Sequence, residues 1–348
     1  AKIIWLFKFM NNNLTKVGIL GGSGFTGEEL LRILSNHPRT EVIAVSSREF
    51  LGQSTNKIVE GSELVFVEPN DDIFYECEAI FFATPHGVSM DRIPSYIERN
   101  IKIIDLSADF RLKDVSVWEE WYGSKHTEKE LLSESVYGLT ELNLNEIKSA
   151  RLVAVPGCYP TSSLLGVLPL LKSELQVESI IIDAKSGISG AGRKTVEKSL
   201  SKEIKDNFRA YGLEGHRHLP EIKEIAELVS GYSIKLNFVP HLIPTMRGIY
   251  STIYLQLKEL KGLDILDSYD LFYKHSPNVT ILRPGEVPDI KSIANTNNCH
   301  ISVTLSNIKN QVIVISSIDN LVKGAAGQAV ECYNLMNGFV QSTGLDNG

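Results

Sequence analysis

Lys16-Val17-Gly18-Ile19-Leu20-Gly21-Gly22-Ser23-Gly24-Phe25-Thr26-Gly27 is the stretch that decides the fold. Lys16 to Leu20 forms a short apolar strand, the glycines that follow make a turn, and Glu28 to Leu34 continues as a helical run. Strand, glycine turn and helix in this order suit a dinucleotide pyrophosphate. Gly21 can make the tight turn, Gly24 lets the backbone approach a phosphate, and Gly27 permits close helix packing with N–H groups aimed at the anion. Ser23, Phe25 and Thr26 complete the candidate cofactor loop. The spacing is G-x-x-G-x-x-G rather than G-x-G-x-x-G, so the flanking strand and helix carry much of the reading.

Outward from this turn the pattern repeats. A second strand, Glu41 to Val45, ends in Ser46-Ser47-Arg48, where an NAD enzyme would place an acidic residue for the ribose hydroxyls. Hydroxyls and a guanidinium would instead welcome a 2′-phosphate, so NADP(H) is the expected cofactor, with Glu49 as an opposing charge. Ala79 to Ala83 and Ile101 to Ile104 are continuous apolar runs, as expected of central parallel strands. They end in Thr84-Pro85-His86-Gly87 and in Asp105 to Arg111, loops placed where open α/β sheets bind ligands. His86 reads as a turn residue with a structural hydrogen bond.

Farther along, Val155-Pro156-Gly157-Cys158-Tyr159-Pro160-Thr161 sets one cysteine between a strand, Arg151 to Val155, and a helix whose body is Ser162 to Leu171. Unpaired N–H groups and the positive end of the dipole at a helix start favour a thiolate, which makes Cys158 the candidate nucleophile. Ser179 to Ala184 leads into Lys185-Ser186-Gly187-Ile188-Ser189-Gly190-Ala191-Gly192-Arg193, a small-residue loop suited to an anion through its amides and Arg193. In Gly215-His216-Arg217-His218-Leu219-Pro220-Glu221, two histidines flank an arginine just before a helix, which suits acid/base work beside an anionic substrate. No third ligand stands at a recognisable spacing, so no metal is expected.

The C-terminal half alternates apolar and polar residues in Tyr232–Val239, Ile249–Leu257, Cys299–Leu305 and Gln311–Ser316, the pattern of a largely antiparallel sheet with one covered face. Ile318 to Val330 enters a helix expected to pack back on the first domain. The fold class is therefore α/β: a Rossmann-like doubly wound parallel-sheet domain plus an α+β catalytic and oligomerisation domain with a largely antiparallel sheet. The expected boundaries are 14–157 plus 319–348 for the NADP-binding domain, 158–318 for the second, and 1–13 for an N-terminal extension. That extension carries a short apolar run interrupted by Lys8 and no small-residue cleavage pattern, unlike a signal peptide.

Composition narrows the partners. At 348 residues the chain is long enough for two domains of ~150 residues. A net charge of −7 argues against nucleic acid or an anionic membrane surface, leaving small molecules and a second copy of the chain as partners. Four widely spaced cysteines, Cys77, Cys158, Cys299 and Cys332, fit a reducing cytoplasm better than a disulfide framework.

Together, Gly21–Gly27, Leu106–Arg111, Tyr137–Asn143, Pro156–Thr161, Ser186–Arg193, His216–Ile222, Pro240–Gly248 and Ile318–Gly327 make the chain resemble the N-acetyl-γ-glutamyl-phosphate reductases, within the aspartate-semialdehyde dehydrogenase superfamily. The resemblance implies an NADPH-dependent enzyme of arginine biosynthesis and a homo-oligomer, dimer or tetramer. It also implies a nucleophile at Cys158 and an acid/base within His216-Arg217-His218, with both histidines kept as candidates. A thiolate would displace phosphate from an acyl phosphate, leaving a thioester that accepts hydride and is released as the aldehyde. Cofactor contacts are expected at Gly21, Ser23, Gly24, Phe25, Thr26, Gly27, Ser46, Ser47, Arg48, Ser186, Gly187, Ser189 and Gly190. Arg111, Arg193 and Arg217 are the candidates for gripping the substrate's carboxylate or leaving phosphate. Thr140 departs from the proline usual in the family, a change expected to alter only loop stiffness, and Tyr159-Pro160 favours this substrate over the carrier-bound substrates of the lysine-pathway relatives. A sister reductase of aspartyl phosphate and a non-catalytic NADP sensor are the rival readings.

Overall fold

The computed structural model describes residues 14–260 and 264–345; the expected extension at 1–13 lies outside them. The chain divides into two compact units, one made of residues up to Pro156 together with those from Ala325 onward, the other of Gly157–Gly324.

The first unit is built on a seven-stranded sheet ordered β3-β2-β1-β4-β5-β7-β6. Its strands are β1 (Thr15–Leu20), β2 (Thr40–Ser46), β3 (Phe66–Val67), β4 (Ala79–Phe82), β5 (Lys102–Asp105), β6 (Val136–Tyr137) and β7 (Leu152–Ala154). Every pairing is parallel. Central β4 is buried on both faces, which is why it reads as the uninterrupted run Ala79-Ile80-Phe81-Phe82. The strand order turns back at β1 and β4, so β1 lies between β2 and β4 and its glycine turn opens at the switch point where such sheets bind ligands. Helix Phe25–Ser35 starts three residues earlier than the apolar spacing predicts, because its first turn is the small-residue segment itself.

Helix Gly327–Met336 belongs to this first unit, and all ten of its residues are buried. Gln328 Nε2 donates to the Gly138 carbonyl at 2.9 Å, and the Thr140 hydroxyl donates to buried Glu331 Oε2 at 2.6 Å. The threonine at 140 therefore does more than change loop stiffness, since its hydroxyl satisfies a carboxylate that has no solvent exposure.

The second unit carries another seven-stranded sheet, ordered β12-β13-β14-β11-β8-β10-β9. Its strands are β8 (Val177–Ser186), β9 (Arg209–Ala210), β10 (Lys235–Leu242), β11 (Ile249–Leu257), β12 (Val279–Ile281), β13 (Cys299–Leu305) and β14 (Gln311–Ile318). The pairings are mostly antiparallel, but β10 runs parallel to β8 from Lys235 to Leu242 and begins three residues later than Tyr232. Helix His218–Ser230 lies between these strands in sequence and supplies the crossover that a parallel pair requires. Along β11, Ile249, Ser251, Ile253, Leu255 and Leu257 are buried while the alternate residues are half-buried, so one face of the sheet holds the core. Helix Cys158–Leu171 packs on β11 and β14, and all of its residues after Cys158 are buried.

Candidate active site

Cys158 is the first residue of helix Cys158–Leu171, with Gly157 at the N-cap in an extended conformation and no side chain capping the end. The helix thus begins four residues before Ser162, on the cysteine itself, whose side chain is partly accessible. Two contacts set the turn. In the first unit, Arg111 Nε donates to the Val155 carbonyl at 2.7 Å, and its Nη2 donates to the Leu106 carbonyl at 2.7 Å. In the second, the Gly157 N–H donates to Glu221 Oε1 at 2.9 Å, and Glu221 is 1% exposed. Opposite the cysteine, a Cβ placed on Gly324 would stand 2.9 Å from Cys158 Cβ, so only glycine allows this approach.

Glu221 brings both histidines to the same helix end, since it lies in the first turn of helix His218–Ser230. The His216 ring packs on Tyr159 at 5.7 Å between centroids, on Tyr211 at 5.5 Å, on Phe238 at 5.4 Å and on His218 at 4.9 Å. Nδ1 of His216 accepts the His218 N–H at 3.1 Å, so this nitrogen carries no proton and the neutral ring bears its hydrogen on Nε2. Burial, and then the adjacent Arg217 charge, lower the His216 pKa to about 4, which keeps the ring neutral. The Tyr211 hydroxyl donates to the Tyr159 hydroxyl at 3.3 Å, which donates to the His241 carbonyl at 3.1 Å. Burial pushes both phenols up, Tyr211 to about 12, so both remain hydrogen-bond donors.

The first glycine turn has the shape of a phosphate cradle. Gly21 has φ +87°, and a Cβ there would lie 2.4 Å from the Ala83 carbonyl oxygen; a Cβ on Gly27 would lie 2.3 Å from the Gly21 carbonyl oxygen. Around Gly24 nothing comes within 4 Å of that position, and the helix it caps has no side-chain cap, so an anion can approach the helix end. Ser46 and Ser47, expected as cofactor contacts, are also bonded to the turn itself. The Ser46 hydroxyl accepts the Gly21 N–H at 3.1 Å, and the Ser47 hydroxyl donates to Ser23 Oγ at 2.9 Å, so both brace the turn from within. Arg48 is exposed at the end of β2, where a guanidinium can meet a 2′-phosphate. His86 is structural as expected, its Nδ1 accepting the Ala108 N–H at 3.2 Å.

The second small-residue loop is held mainly by its own amides. The N–H groups of Gly187, Ile188 and Ser189 donate to the carbonyls of Gly248, Thr245 and Met246 at 2.9, 2.9 and 3.1 Å. The Ser186 hydroxyl donates to the Gly187 carbonyl at 2.9 Å, and Ser189 Oγ receives Asn320 Nδ2 at 2.8 Å. These amides and hydroxyls shape the loop, which is exposed at Gly190, Ala191 and Gly192. Arg193 pairs with Glu197 at 3.3 Å, and Arg217 is exposed.

Glu221, Tyr211, Gly324 and Asn320, which the structure sets around these candidates, were not singled out by sequence reasoning. Their partners lie far along the chain, Gly157 and Glu221 being 64 residues apart, and nothing in local spacing announces such a pair.

Residues 16–150 match the model "Semialdehyde dehydrogenase, NAD binding domain", and residues 158–320 match "Semialdehyde dehydrogenase, dimerisation domain". An N-acetyl-γ-glutamyl-phosphate reductase of Nitrosococcus oceani is 46% identical over 338 residues, covering 95% of this chain and 98% of the relative. One from Saccharophagus degradans is 45% identical over 342 residues, covering 96% and 99%. Among solved structures, aspartate semialdehyde dehydrogenase II of Vibrio cholerae, complexed with ASA, superposes with a TM-score of 0.74 at 15% identity, covering 93% of this chain and 98% of that one. The aspartate semialdehyde dehydrogenase of Candida albicans with NADP gives 0.67 at 14%, covering 93% and 98%. At these identities the two structures share the fold.

Proposed function

The chain belongs to the N-acetyl-γ-glutamyl-phosphate reductases, and we propose that its own residues carry out their reaction through a thioester on Cys158. The protein is an NADP-dependent oxidoreductase of arginine biosynthesis that converts N-acetyl-L-glutamyl 5-phosphate to N-acetyl-L-glutamate 5-semialdehyde and phosphate. The observation that carries the assignment of roles is the start of helix Cys158–Leu171, where Cys158 is the first residue and Glu221 holds the preceding amide.

The Cys158 sulfur attacks the acyl carbon, a C–S bond forms, the bond to the phosphate oxygen breaks, and inorganic phosphate leaves. NADPH, when bound, supplies the hydride that reduces the thioester. The resulting oxyanion takes a proton, and when that proton is returned the C–S bond breaks, releasing the aldehyde and restoring Cys158. His216, a neutral ring whose Nδ1 is already an acceptor, can only donate through Nε2, so it supports the oxyanion as a hydrogen-bond donor. Accepting and returning protons then falls to His218, beside it at the same helix end. Gly21, Ser23, Gly24, Phe25, Thr26 and Gly27 form the cofactor's phosphate cradle, Arg48 takes its 2′-phosphate, and Gly190 offers an exposed contact of the second loop. Arg193 and Arg217 are assigned to the substrate's carboxylate and leaving phosphate. Arg111, the third candidate for the substrate's anionic groups, also holds the Val155 and Leu106 carbonyls.

The domain roles follow: cofactor binding in the first unit, chemistry and self-association in the second. A homo-oligomer, dimer or tetramer, would form through the open face of the second sheet, where Ile181 is 43% exposed and Tyr250, Tyr254, Ile313 and Ile315 are half-buried. Four free cysteines suit a cytoplasmic setting. Among the described residues no helix is long and apolar enough to cross a membrane.

The test is phosphate-dependent reduction of NADP, run in reverse with N-acetylglutamate 5-semialdehyde and, in parallel, aspartate 4-semialdehyde. Turnover is expected with the first aldehyde only, lost without phosphate, and reduced by at least ~1,000-fold in Cys158→Ala. Preference for the second aldehyde would move the protein to the sister reductases.

A further inference from the structure

Two aspartates of the first unit, both without solvent exposure, take no part in the chemistry assigned above. Asp109 accepts the Gly87 N–H through both oxygens at 2.8 and 2.9 Å, the Met90 N–H at 3.2 Å and the Ser89 hydroxyl at 2.7 Å. Asp105 accepts the Ser107 N–H at 2.9 Å and the Ser107 hydroxyl at 2.8 Å. The Ser89 hydroxyl also stands 3.2 Å from Asp105 Oδ2 and 2.6 Å from the Ser107 hydroxyl. These bonds join the loop after β5 to the loop after β4. That second loop starts at Ala83, the residue whose carbonyl Gly21 approaches so closely that no Cβ would fit. The segment held by Asp109 is thus continuous with the wall of the phosphate cradle.

We propose that Asp109, backed by Asp105, is a positioning residue for the nicotinamide cofactor: the pair pins residues 83–90 beside the glycine turn and holds them best when Asp105 carries a proton. The inference rests on the reading that NADPH binds the first unit. With the Ser89 hydrogen on Asp109 and the Ser107 hydrogen on Asp105, the 2.6 Å approach of the two hydroxyls and the 3.2 Å approach of Ser89 Oγ to Asp105 Oδ2 have no hydrogen between them, and a proton on Asp105 that donates to Ser89 Oγ completes the network. Burial, and then the Asp109 charge, push the Asp105 carboxyl up to about 7. The other charged or titratable groups around the pair are few. The buried guanidinium of Arg111 lies nearby, His86 is bound to the Ala108 N–H, and His126 Nε2 meets the Asp109 carbonyl oxygen at 2.7 Å.

Fluorescence titration with NADPH from about pH 6 to about pH 8.5 tests this, using the full chain as wild type, Asp105→Asn, Ser89→Ala and Asp109→Asn, with a melting curve for each. Wild-type Kd is expected to rise about tenfold across the range, beyond the change that the cofactor's own phosphate causes in every variant. Asp105→Asn, a neutral stand-in for the protonated acid, should stay flat near the low-pH value. Asp109→Asn should raise KM for NADPH about tenfold or more while kcat changes less than about threefold. Ser89→Ala should weaken binding in the same direction, and it carries the test if Asp109→Asn fails to fold. Asp105→Asn titrating like wild type, or folded variants that bind NADPH as wild type does, would overturn the proposal and leave the functional reading intact. A folded wild type that binds no NADPH at any pH would sink the functional reading and this inference with it.

Discussion

His216 shows at the scale of one residue how a backbone bond restricts chemistry. Its Nδ1 takes the first amide of a helix, and the aromatic rings of Tyr159, Tyr211 and Phe238 leave the ring only partly exposed. An imidazole in an unfolded chain titrates near 6.5, and in the fold His216 titrates near 4, so the folded state prefers the neutral form. The sign follows from linkage: this contribution to stability is complete above pH 6.5 and is lost as pH falls through about 4. Melting curves between pH 7 and pH 4 should therefore fall less steeply for His216→Gln than for the wild type; equal slopes would mean that the ring is not held neutral. The two histidines were legible in the sequence as a pair, but the separate tasks proposed for them were not, because the distinction depends on which nitrogen meets a backbone N–H.

Helix Cys158–Leu171 has to be buried and yet contains Pro169 within it. A proline there cannot donate to the carbonyl four residues earlier, that of Leu165. The Tyr273 hydroxyl donates to this Leu165 carbonyl, and the Tyr269 hydroxyl donates to the next, that of Gly166, at 2.6 Å. Both tyrosines come from helix Ile265–Tyr273, which thereby repairs the break in the helix that begins at Cys158. Tyr273→Phe should cost about 1–3 kcal/mol in denaturant unfolding, since it leaves a buried carbonyl without its donor; a loss below a few tenths would count against this account. Elements with a strong local signal were legible from sequence: β1 with its glycine turn, β4 as an apolar run, and β11 with its alternation. What could not be read was β10, whose alternation looks the same in either direction. Its parallel pairing with β8 is set by the crossover helix, and the repair of Pro169 comes from a segment about 100 residues away.

At the scale of the whole molecule, the open face of the second sheet is what supports the proposed self-association. Half-buried Tyr250, Tyr254, Ile313 and Ile315 beside exposed Ile181 form an apolar surface on an otherwise charged protein with net charge −7. Light scattering at working concentration should give at least twice the chain mass, and Ile181→Asp should shift the distribution toward monomer; a monomeric wild type would rule out this use of the face. The division of the chain carries a consequence for its biosynthesis. The first unit is made of the chain up to Pro156 and the segment from Ala325, so its fully buried helix Gly327–Met336 leaves the ribosome only after the whole second unit has been made. During synthesis the second unit can mature as an inserted domain, while the parallel sheet that emerged first waits with its Thr140 and Gly138 contacts unmade. Chains truncated before Gly327 and released from the ribosome should therefore show a protease-resistant second unit and a cleavable first one, an order of maturation opposite to the order of translation.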